Sequence, residues 1–214
     1  MLAKLIRSIL GGSGDAGGGA EGNSSDRLAT RQREAGLISE NYRKMQQQLH
    51  ENPQYGVASV AYAPMVAQIM EIAGASELLD YGAGKGRLGE TLKQHIQRPL
   101  VVHHYDPAIP AWAEPPQPCP FVACIDVLEH IEPALIDNVL DDLKRVVTGV
   151  GTFTVHTGPA VKHLPDGRNA HLIQQPAAWW LPKILDRFEL GMYKRLELER
   201  GMSGFWVVVE PKRN

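Results

Sequence analysis

The chain has 214 residues and a formal net charge of −2 at pH 7, and 43% of its residues are hydrophobic. This length suits one α/β domain with extensions and allows a sizeable core. A charge so close to zero excludes a general electrostatic attraction to nucleic acid or to an anionic membrane. No apolar run approaches the roughly 18 residues of a membrane span, and the start of the chain lacks the cleavage pattern of a signal peptide. The sequence therefore predicts a cytoplasmic protein.

Residues 1–25 form a region distinct from the rest of the chain. In "MLAKLIRSIL" the apolar residues follow the spacing of one helix face, and Lys4 and Arg7 lie off that face. Residues 11–25 are mostly Gly, Ser and Ala, the composition of a flexible linker. A helix of this length needs a surface to order it. Residues 2–10 are thus expected to bind a protein partner or, more weakly, a membrane face; the alternatives are a disordered tail or a helix folded back on its own domain.

Residues 26–214 form the second predicted region, a single domain that begins with a polar helical lid at about 26–51. Pro64 stands at a plausible first position of a helix that ends before Gly74. Strand and helix signals then alternate along the chain. This alternation predicts a mostly parallel sheet covered by helices.

The predicted elements of this domain can be given in chain order. Strands are predicted over "ELLDY", "LVVHHY", "FVACI" and "VGTFTVH", helices over 86–96, 133–147 and 176–187, and a closing hairpin over "FELGMYKRLEL" and "GFWVVVE". Pro133 should open the second of these helices, whose apolar residues fall on one face. Pro182 should break or kink the third.

A glycine-rich loop follows the first strand, in "ELLDYGAGKGRLG". From Gly84 onward it matches G-x-G-x-x-G, the dinucleotide-binding pattern. However, Asp80 ends the strand, and a carboxylate at the mouth of the loop would repel a pyrophosphate. That carboxylate suits a ligand with a cationic end, such as an ammonium group. Asp106 ends the next strand and can accept ribose hydroxyls in either interpretation. A glycine-rich turn without a ligand is the remaining alternative.

Three motifs together resemble those of the class I S-adenosylmethionine-dependent methyltransferases: "LLDYGAGKG", "VVHHYD" and "CIDVLEHI". The resemblance covers roughly residues 60–210. It implies a Rossmann-like, mostly parallel sheet flanked by helices, with a C-terminal antiparallel hairpin and S-adenosylmethionine as cofactor. By this resemblance the loop glycines approach the methionine part and an acid holds the ribose. The implied cofactor-binding residues are Asp80, Gly82, Gly84, Gly86, Asp106 and Asp126.

The chain departs from this family between the second and third motifs. Residues 107–120 contain six prolines, which exclude a regular helix and a central strand. We therefore expect a shortened third-strand region, and the family's usual adenine contact there does not carry over. Ile109 or Trp112 is a candidate to cover the adenine, although Trp112 can equally be a surface or core aromatic residue.

Histidines are concentrated where an acceptor would bind, beyond the carboxyl ends of the strands. His130, His156 and His171 are the candidate catalytic residues, and His171 matches a histidine that many family members carry. Each has a structural alternative; His130, for example, could bond to backbone or line the cofactor. His156 and His171 could form a metal site with His163 and Asp166, but their spacing matches no established ligand pattern. No metal is therefore predicted.

The segment that follows the strand in the third motif, "CIDVLEHI", indicates which class of acceptor is favoured. The segment "DVLE" occupies the place where amino methylation of bases or amides usually needs an N-P-P-Y-type or D-P-P-Y-type segment. No basic patch with interleaved aromatic residues is present, so nucleic acid is an unlikely partner. These features favour S-adenosylmethionine-dependent methyl transfer to a small-molecule or saccharide acceptor, with oxygen as the favoured atom. The alternatives are a protein or nucleic-acid methyltransferase and a module that holds the cofactor without turnover.

Overall fold

The computed structural model describes residues 36–197 and 203–213. The amphipathic segment predicted at residues 2–10, the linker at residues 11–25 and the first part of the lid lie outside these ranges. Everything that follows about structure concerns the described residues.

Six strands form one sheet in the order β2-β1-β3-β4-β6-β5. The strands β1 to β4 are mutually parallel, and β6 runs antiparallel to both of its neighbours. This topology confirms the predicted mostly parallel, Rossmann-like sheet with a C-terminal antiparallel hairpin. The strands are β1 Glu77–Tyr81, β2 Val101–Tyr105, β3 Cys119–Ile125, β4 Val147–His156, β5 Phe188–Glu197 and β6 Ser203–Pro211.

Helices cover both faces of the sheet. Along β3, Val122 and Cys124 face one apolar cluster, and Phe121 and Ala123 face the other, as the two-residue period of a strand requires. The first cluster is closed by α4 and α5, and the second by α2 and α3. The helices are α1 Glu40–His50, α2 Ser59–Ala73, α3 Arg87–Leu92, α4 Ile136–Val146 and α5 Ala177–Arg187. None of them has the length and apolar character needed to cross a bilayer.

The position predicted for Pro64 was wrong, and the break that was one of two effects predicted for Pro182 does not occur. Helix α2 begins at Ser59, so Pro64 lies inside it and not at its first position. Helix α5 continues through Pro182 without a break. A proline removes one backbone hydrogen bond, but Ala63 and Val66 are buried beside Pro64, and Trp180 and Ile184 are buried on α5. The packing of these side chains stabilises both helices and compensates for the missing backbone hydrogen bond.

Two helix boundaries also differ from those expected. Helix α4 begins at Ile136, because Pro133 belongs to the turn before it, and α3 ends at Leu92 instead of continuing to residue 96. The apolar face predicted for α4 is confirmed. Its buried residues are Ile136, Val139, Leu140, Leu143 and Val146.

The proline-rich segment shortens the sheet as predicted. Between β2 and β3 the chain forms a single 3-10 turn, Pro110–Trp112, and no strand. In the described part of the chain β2 is therefore an edge strand, and its outer side pairs with nothing. The carboxyl ends of β1 to β4 meet at one edge of the sheet, where the cavity described below opens.

Candidate active site

A cavity of about 370 Å³ lies at the carboxyl ends of the parallel strands. Its size is that of a small-molecule site, and its position is the one at which open α/β sheets bind ligands. The loops after four successive strands contribute to its wall, and helix α1 with the residues after it covers it. Lining residues include Tyr42, His50, Gly82, Gly84, Asp106, Asp126, His130, His156 and His171.

The glycine loop after β1 forms one end of the cavity. Gly82, Gly84 and Gly86 have φ values of 79°, 55° and 66°, a region that side chains rarely adopt. A Cβ at Gly82 would lie 2.5 Å from the side chain of Val127, and one at Gly84 would lie 3.3 Å from the imidazole of His50. Glycine is therefore required at these positions by the backbone and by close packing within the chain itself.

Asp80 and Gly86 lie outside the lining of this cavity. Asp80 is 3% exposed, and its Oδ2 is 3.6 Å from Nδ1 of His104 on the neighbouring strand. Burial raises the pKa of the Asp80 carboxyl. The ring of Trp112 lies against that of His104, tilted by 34° with a centroid separation of 4.7 Å, and it approaches Gly86. Neither Trp112 nor Ile109, the two candidates to cover the adenine, lines the cavity.

Asp106 connects the end of β2 to the glycine loop. Its Oδ2 accepts a hydrogen bond from the backbone N–H of Gly84 at 2.9 Å, and its Oδ1 accepts one from the N–H of Ala108 at 2.9 Å. The residue is 8% exposed and lines the cavity. Each carboxylate oxygen retains a further lone pair, so Asp106 can still accept hydroxyl groups of a ligand.

The three predicted catalytic histidines meet at the other end of the cavity. The ring of His171 lies 4.7 Å from that of His130 and 5.5 Å from that of His156, centroid to centroid. His163 and Asp166 are exposed and do not line the cavity. The structure therefore places His130, His156 and His171 at the cavity and His163 on the surface of the loop.

Hydrogen bonds to backbone determine which ring nitrogens are free. Nδ1 of His171 lies 2.7 Å from the carbonyl oxygen of Gly158, and Nδ1 of His130 lies 2.9 Å from that of Ala170. Because a carbonyl only accepts, each Nδ1 carries a proton, and in the neutral form of either ring Nε2 presents a lone pair. Burial lowers the pKa of His130 to about 4 and also lowers the pKa of His156. These two imidazoles are thus neutral near pH 7.

Two carboxylates lie beside the histidines. Asp126 has a φ of 60°, unusual for a residue with a side chain, and its Oδ1 is 3.4 Å from Nε2 of His156. Glu129 is fully buried, and its Oε1 accepts a hydrogen bond from the backbone N–H of His156 at 2.6 Å. Oε2 of Glu129 has no hydrogen-bond partner among the described residues. Burial raises the pKa of Glu129 well above its usual value.

Comparison with known proteins supports the fold alone. No protein-family model matches the sequence, and no curated protein is similar to it in sequence. The structure is similar to that of Burkholderia thailandensis 1,6-didemethyltoxoflavin-N1-methyltransferase with bound S-adenosylhomocysteine, at a TM-score of 0.57 and 14% identity over 94% of each chain. It is also similar to the N-methyltransferase NodS from Bradyrhizobium japonicum, at a TM-score of 0.56 and 11% identity, covering 81% of this chain and 100% of that one.

A third solved structure extends the comparison. A putative O-methyltransferase from Nostoc punctiforme matches at a TM-score of 0.53 and 13% identity, over 77% of this chain and 59% of that one. All three are similar to this chain in overall fold, at TM-scores above 0.5. The chain has the class I methyltransferase fold.

Within this class I methyltransferase fold, the lid is bound to both ends of the cavity. The Tyr42 hydroxyl donates to the carbonyl oxygen of His130 at 2.6 Å. Lys85, in the glycine loop, donates from Nζ to the carbonyl oxygen of His50 at 2.6 Å. Tyr42 and His50 lie at opposite ends of helix α1, so one helix spans the site.

Sequence reasoning missed several residues of this site. Glu129 stands in the motif "CIDVLEHI", and its three-residue spacing from Asp126 through a tight turn was the signal that could have identified it. Tyr42, His50 and Tyr55 line the cavity from the lid. Their only signal was the presence of a few aromatic side chains in an otherwise polar segment, which does not indicate what they contact.

Proposed function

We propose that this protein transfers a methyl group from S-adenosylmethionine to an oxygen atom of a small-molecule or saccharide acceptor. The observation that carries this proposal is one cavity with two chemically different ends. The glycine loop and Asp106 form one end, and three clustered histidines form the other. Among the similar structures, two hold S-adenosylhomocysteine, and one of these also holds 1,6-didemethyltoxoflavin, a small molecule.

The residues at the loop end fit the cofactor. Gly82 and Gly84 present backbone without side chains to the cavity, and Asp106 offers lone pairs suited to two ribose hydroxyls. Pro107 and Ala108 supply an apolar wall next to Asp106. His50 lies over Gly84, so we expect its imidazole to face the methionine part of the cofactor.

The histidine end of the cavity offers groups suited to the methyl-transfer step itself. When bound, S-adenosylmethionine supplies a methyl group already activated by the sulfonium charge. The protein must then align a hydroxyl and accept its proton as the oxygen–carbon bond forms and the carbon–sulfur bond breaks. A neutral imidazole with a free Nε2 can accept that proton, and the backbone bonds at Nδ1 leave Nε2 of both His130 and His171 available. Asp126 and Val127 stand where an amino-group-binding N-P-P-Y-type segment would otherwise be.

Two measurements test the proposal. Calorimetry should show that S-adenosylhomocysteine binds to the full chain and that NAD does not. Cell extract incubated with the protein and methyl-labelled S-adenosylmethionine should then yield a labelled small molecule, and tandem mass spectrometry should place the label on oxygen. Absence of cofactor binding would refute the proposal. Label found in protein or RNA would support the macromolecular alternative, and binding without any labelled product would support the non-catalytic module.

A further inference from the structure

We propose that Asp126, Glu129, His156 and His171 together bind one divalent transition-metal ion at the acceptor end of the cavity. Each of the four residues offers one ligand atom, and these atoms all lie within 4.8 Å of one another. Two ligand atoms on opposite sides of an ion are about 4.2 Å apart when each bond is about 2.1 Å. Ligand atoms at a tetrahedral angle are closer still, about 3.4 Å apart, so the four side chains would have to move toward one another as the ion binds.

The fold brings these ligands together from two adjacent strands. Asp126 and Glu129 follow β3, and His156 ends β4, to which β3 is paired in parallel. His171 returns to the same edge by the loop after β4, where its Nδ1 bonds to the carbonyl oxygen of Gly158. The four positions are spread over 46 residues of sequence, from 126 to 171. Sequence spacing alone therefore did not predict a metal site.

Glu129 supplies an observation that points to a cation. Its side chain is fully buried, Oε1 is bonded to the N–H of His156, and Oε2 is without a hydrogen-bond partner in the described part of the chain. Oδ1 of Asp126 likewise has no hydrogen bond there. Two buried carboxylate oxygens without a hydrogen bond are costly, although Oδ1 of Asp126 does lie 3.4 Å from Nε2 of His156. A metal ion between them would bind both and offset that cost.

His171 is held as metal-binding histidines usually are. Such a histidine donates its other ring N–H to a carbonyl or carboxylate, which fixes the tautomer and the ring orientation. Nδ1 of His171 makes this bond to Gly158, so Nε2 is available as a ligand. His130 is held in the same way by Ala170 but is not part of the four-residue set, so its Nε2 remains free.

The donor set indicates the kind of ion. Two imidazole nitrogens and two carboxylate oxygens suit first-row ions such as Mn²⁺, Fe²⁺, Co²⁺ and Zn²⁺. Ca²⁺ prefers six to eight oxygen ligands, so it should bind poorly here. No cysteine belongs to the set. Cys124, two residues before Asp126, is buried within β3.

The role of the ion rests on the proposed methyl transfer. A hydroxyl bound to a divalent cation loses its proton more readily, and the ion also fixes the position of the oxygen. In that case His156 and His171 act as ligands, and His130 is left to accept the proton through Nε2. Under this assignment, His130 is the one general base among the three histidines of the proposed function.

Metal binding can be measured without any acceptor. Untagged full-length protein, stripped with a chelator, is titrated with Mn²⁺ by electron paramagnetic resonance and with Zn²⁺ by calorimetry. We expect one ion per chain. Glu129→Gln and His171→Ala should each weaken binding by at least about tenfold, the lower end of what loss of even an outer metal partner costs. Ca²⁺ should not displace Mn²⁺.

The exposed pair His103 and Glu77, 2.9 Å apart on the sheet surface, provides matched controls. His103→Ala and Glu77→Gln should leave metal affinity unchanged. Circular dichroism would confirm that Glu129→Gln, which keeps the side-chain shape, remains folded. The inference is overturned if the wild-type protein binds neither ion at millimolar concentration, or if the site variants bind as tightly as the controls. Calorimetry with S-adenosylhomocysteine in chelator tests the cofactor site separately, so the two proposals can fail independently.

Discussion

Asp106 is the residue that links the cofactor end of the cavity to the sheet. It accepts two backbone hydrogen bonds and is proposed to accept two more from ribose hydroxyls. Asp106→Ala should weaken S-adenosylhomocysteine binding by about 1–3 kcal/mol, the cost of losing hydrogen bonds to a charged acceptor. Calorimetry measures this loss, with Asp166→Ala on the exposed loop as the control. Unchanged affinity in a folded Asp106→Ala protein would remove this residue from the site.

The histidine cluster should affect turnover and not cofactor affinity. Alanine variants of His130, His156 and His171 should each retain S-adenosylhomocysteine binding, because the glycine loop lies at the opposite end of the cavity. At least one should lose roughly 10²-fold or more in turnover, the usual contribution of a general base. His103→Ala, on the exposed edge strand, should have no effect. Full activity in all three site variants would mean that alignment alone carries the reaction.

At the scale of the element, the closure of helix α1 and the residues after it over the cavity should depend on pH. Burial lowers the pKa of His50 at the end of α1, although Asp106 acts in the opposite direction and Lys85 in the same one. A histidine with a lowered pKa in the closed lid stabilises closure above about pH 6.5, its unperturbed value. That contribution is lost as the pH falls below about 6.5, since protonation then favours the open lid.

Limited proteolysis of residues 36–58 at about pH 7.5 and about pH 5.5 measures this effect. Cleavage should become faster at the lower pH in the wild-type protein. His50→Asn removes the titrating group and should show a smaller change, while His95→Asn, an exposed histidine after α3, should behave like the wild type. Equal pH dependence in wild-type and His50→Asn proteins would contradict the assignment.

Elements determined by local periodicity were predicted correctly, whereas those determined by distant contacts were not. The buried face of α4 and the strands β1 to β4 follow from patterns within a few residues, and the prolines of 107–120 correctly predicted the missing strand. The position of Pro64 and the break expected at Pro182 were misjudged because the burial of neighbouring side chains outweighed a local rule. Lid closure depends on Tyr42 reaching His130, 88 residues away, which no local pattern contains.

The same distinction applies to the candidate site. The motifs identified Gly82, Gly84 and Asp106 because each has a required place in a known loop, and all three line the cavity. Asp80 was expected to contact the ligand, yet its side chain lies beside His104. Asp80 was predicted to end the strand, but β1 continues to Tyr81, so the Asp80 side chain lies within the sheet.

At the scale of the whole molecule, residues 1–25 remain a sequence prediction, because they lie outside the described structure. Deleting them should leave S-adenosylhomocysteine affinity unchanged, since the cavity is formed by residues further along the chain. The deletion should also release the protein from any lysate fraction with which the full chain co-sediments. Replacing both Leu5 and Ile6 by Ser should have the same effect, because it disrupts the apolar face. Identical sedimentation of all three proteins would show that the segment is not a tether.

The unusual backbone of Asp126 has an evolutionary consequence. It is the one non-glycine residue with positive φ among those described, a conformation that costs up to about 1–2 kcal/mol. Glycine would relieve that cost at the expense of the carboxylate. A library of this chain selected only for resistance to heat should therefore acquire glycine at this position early. Heat resistance would rise in those clones, while the carboxylate proposed to bind the metal ion would be lost.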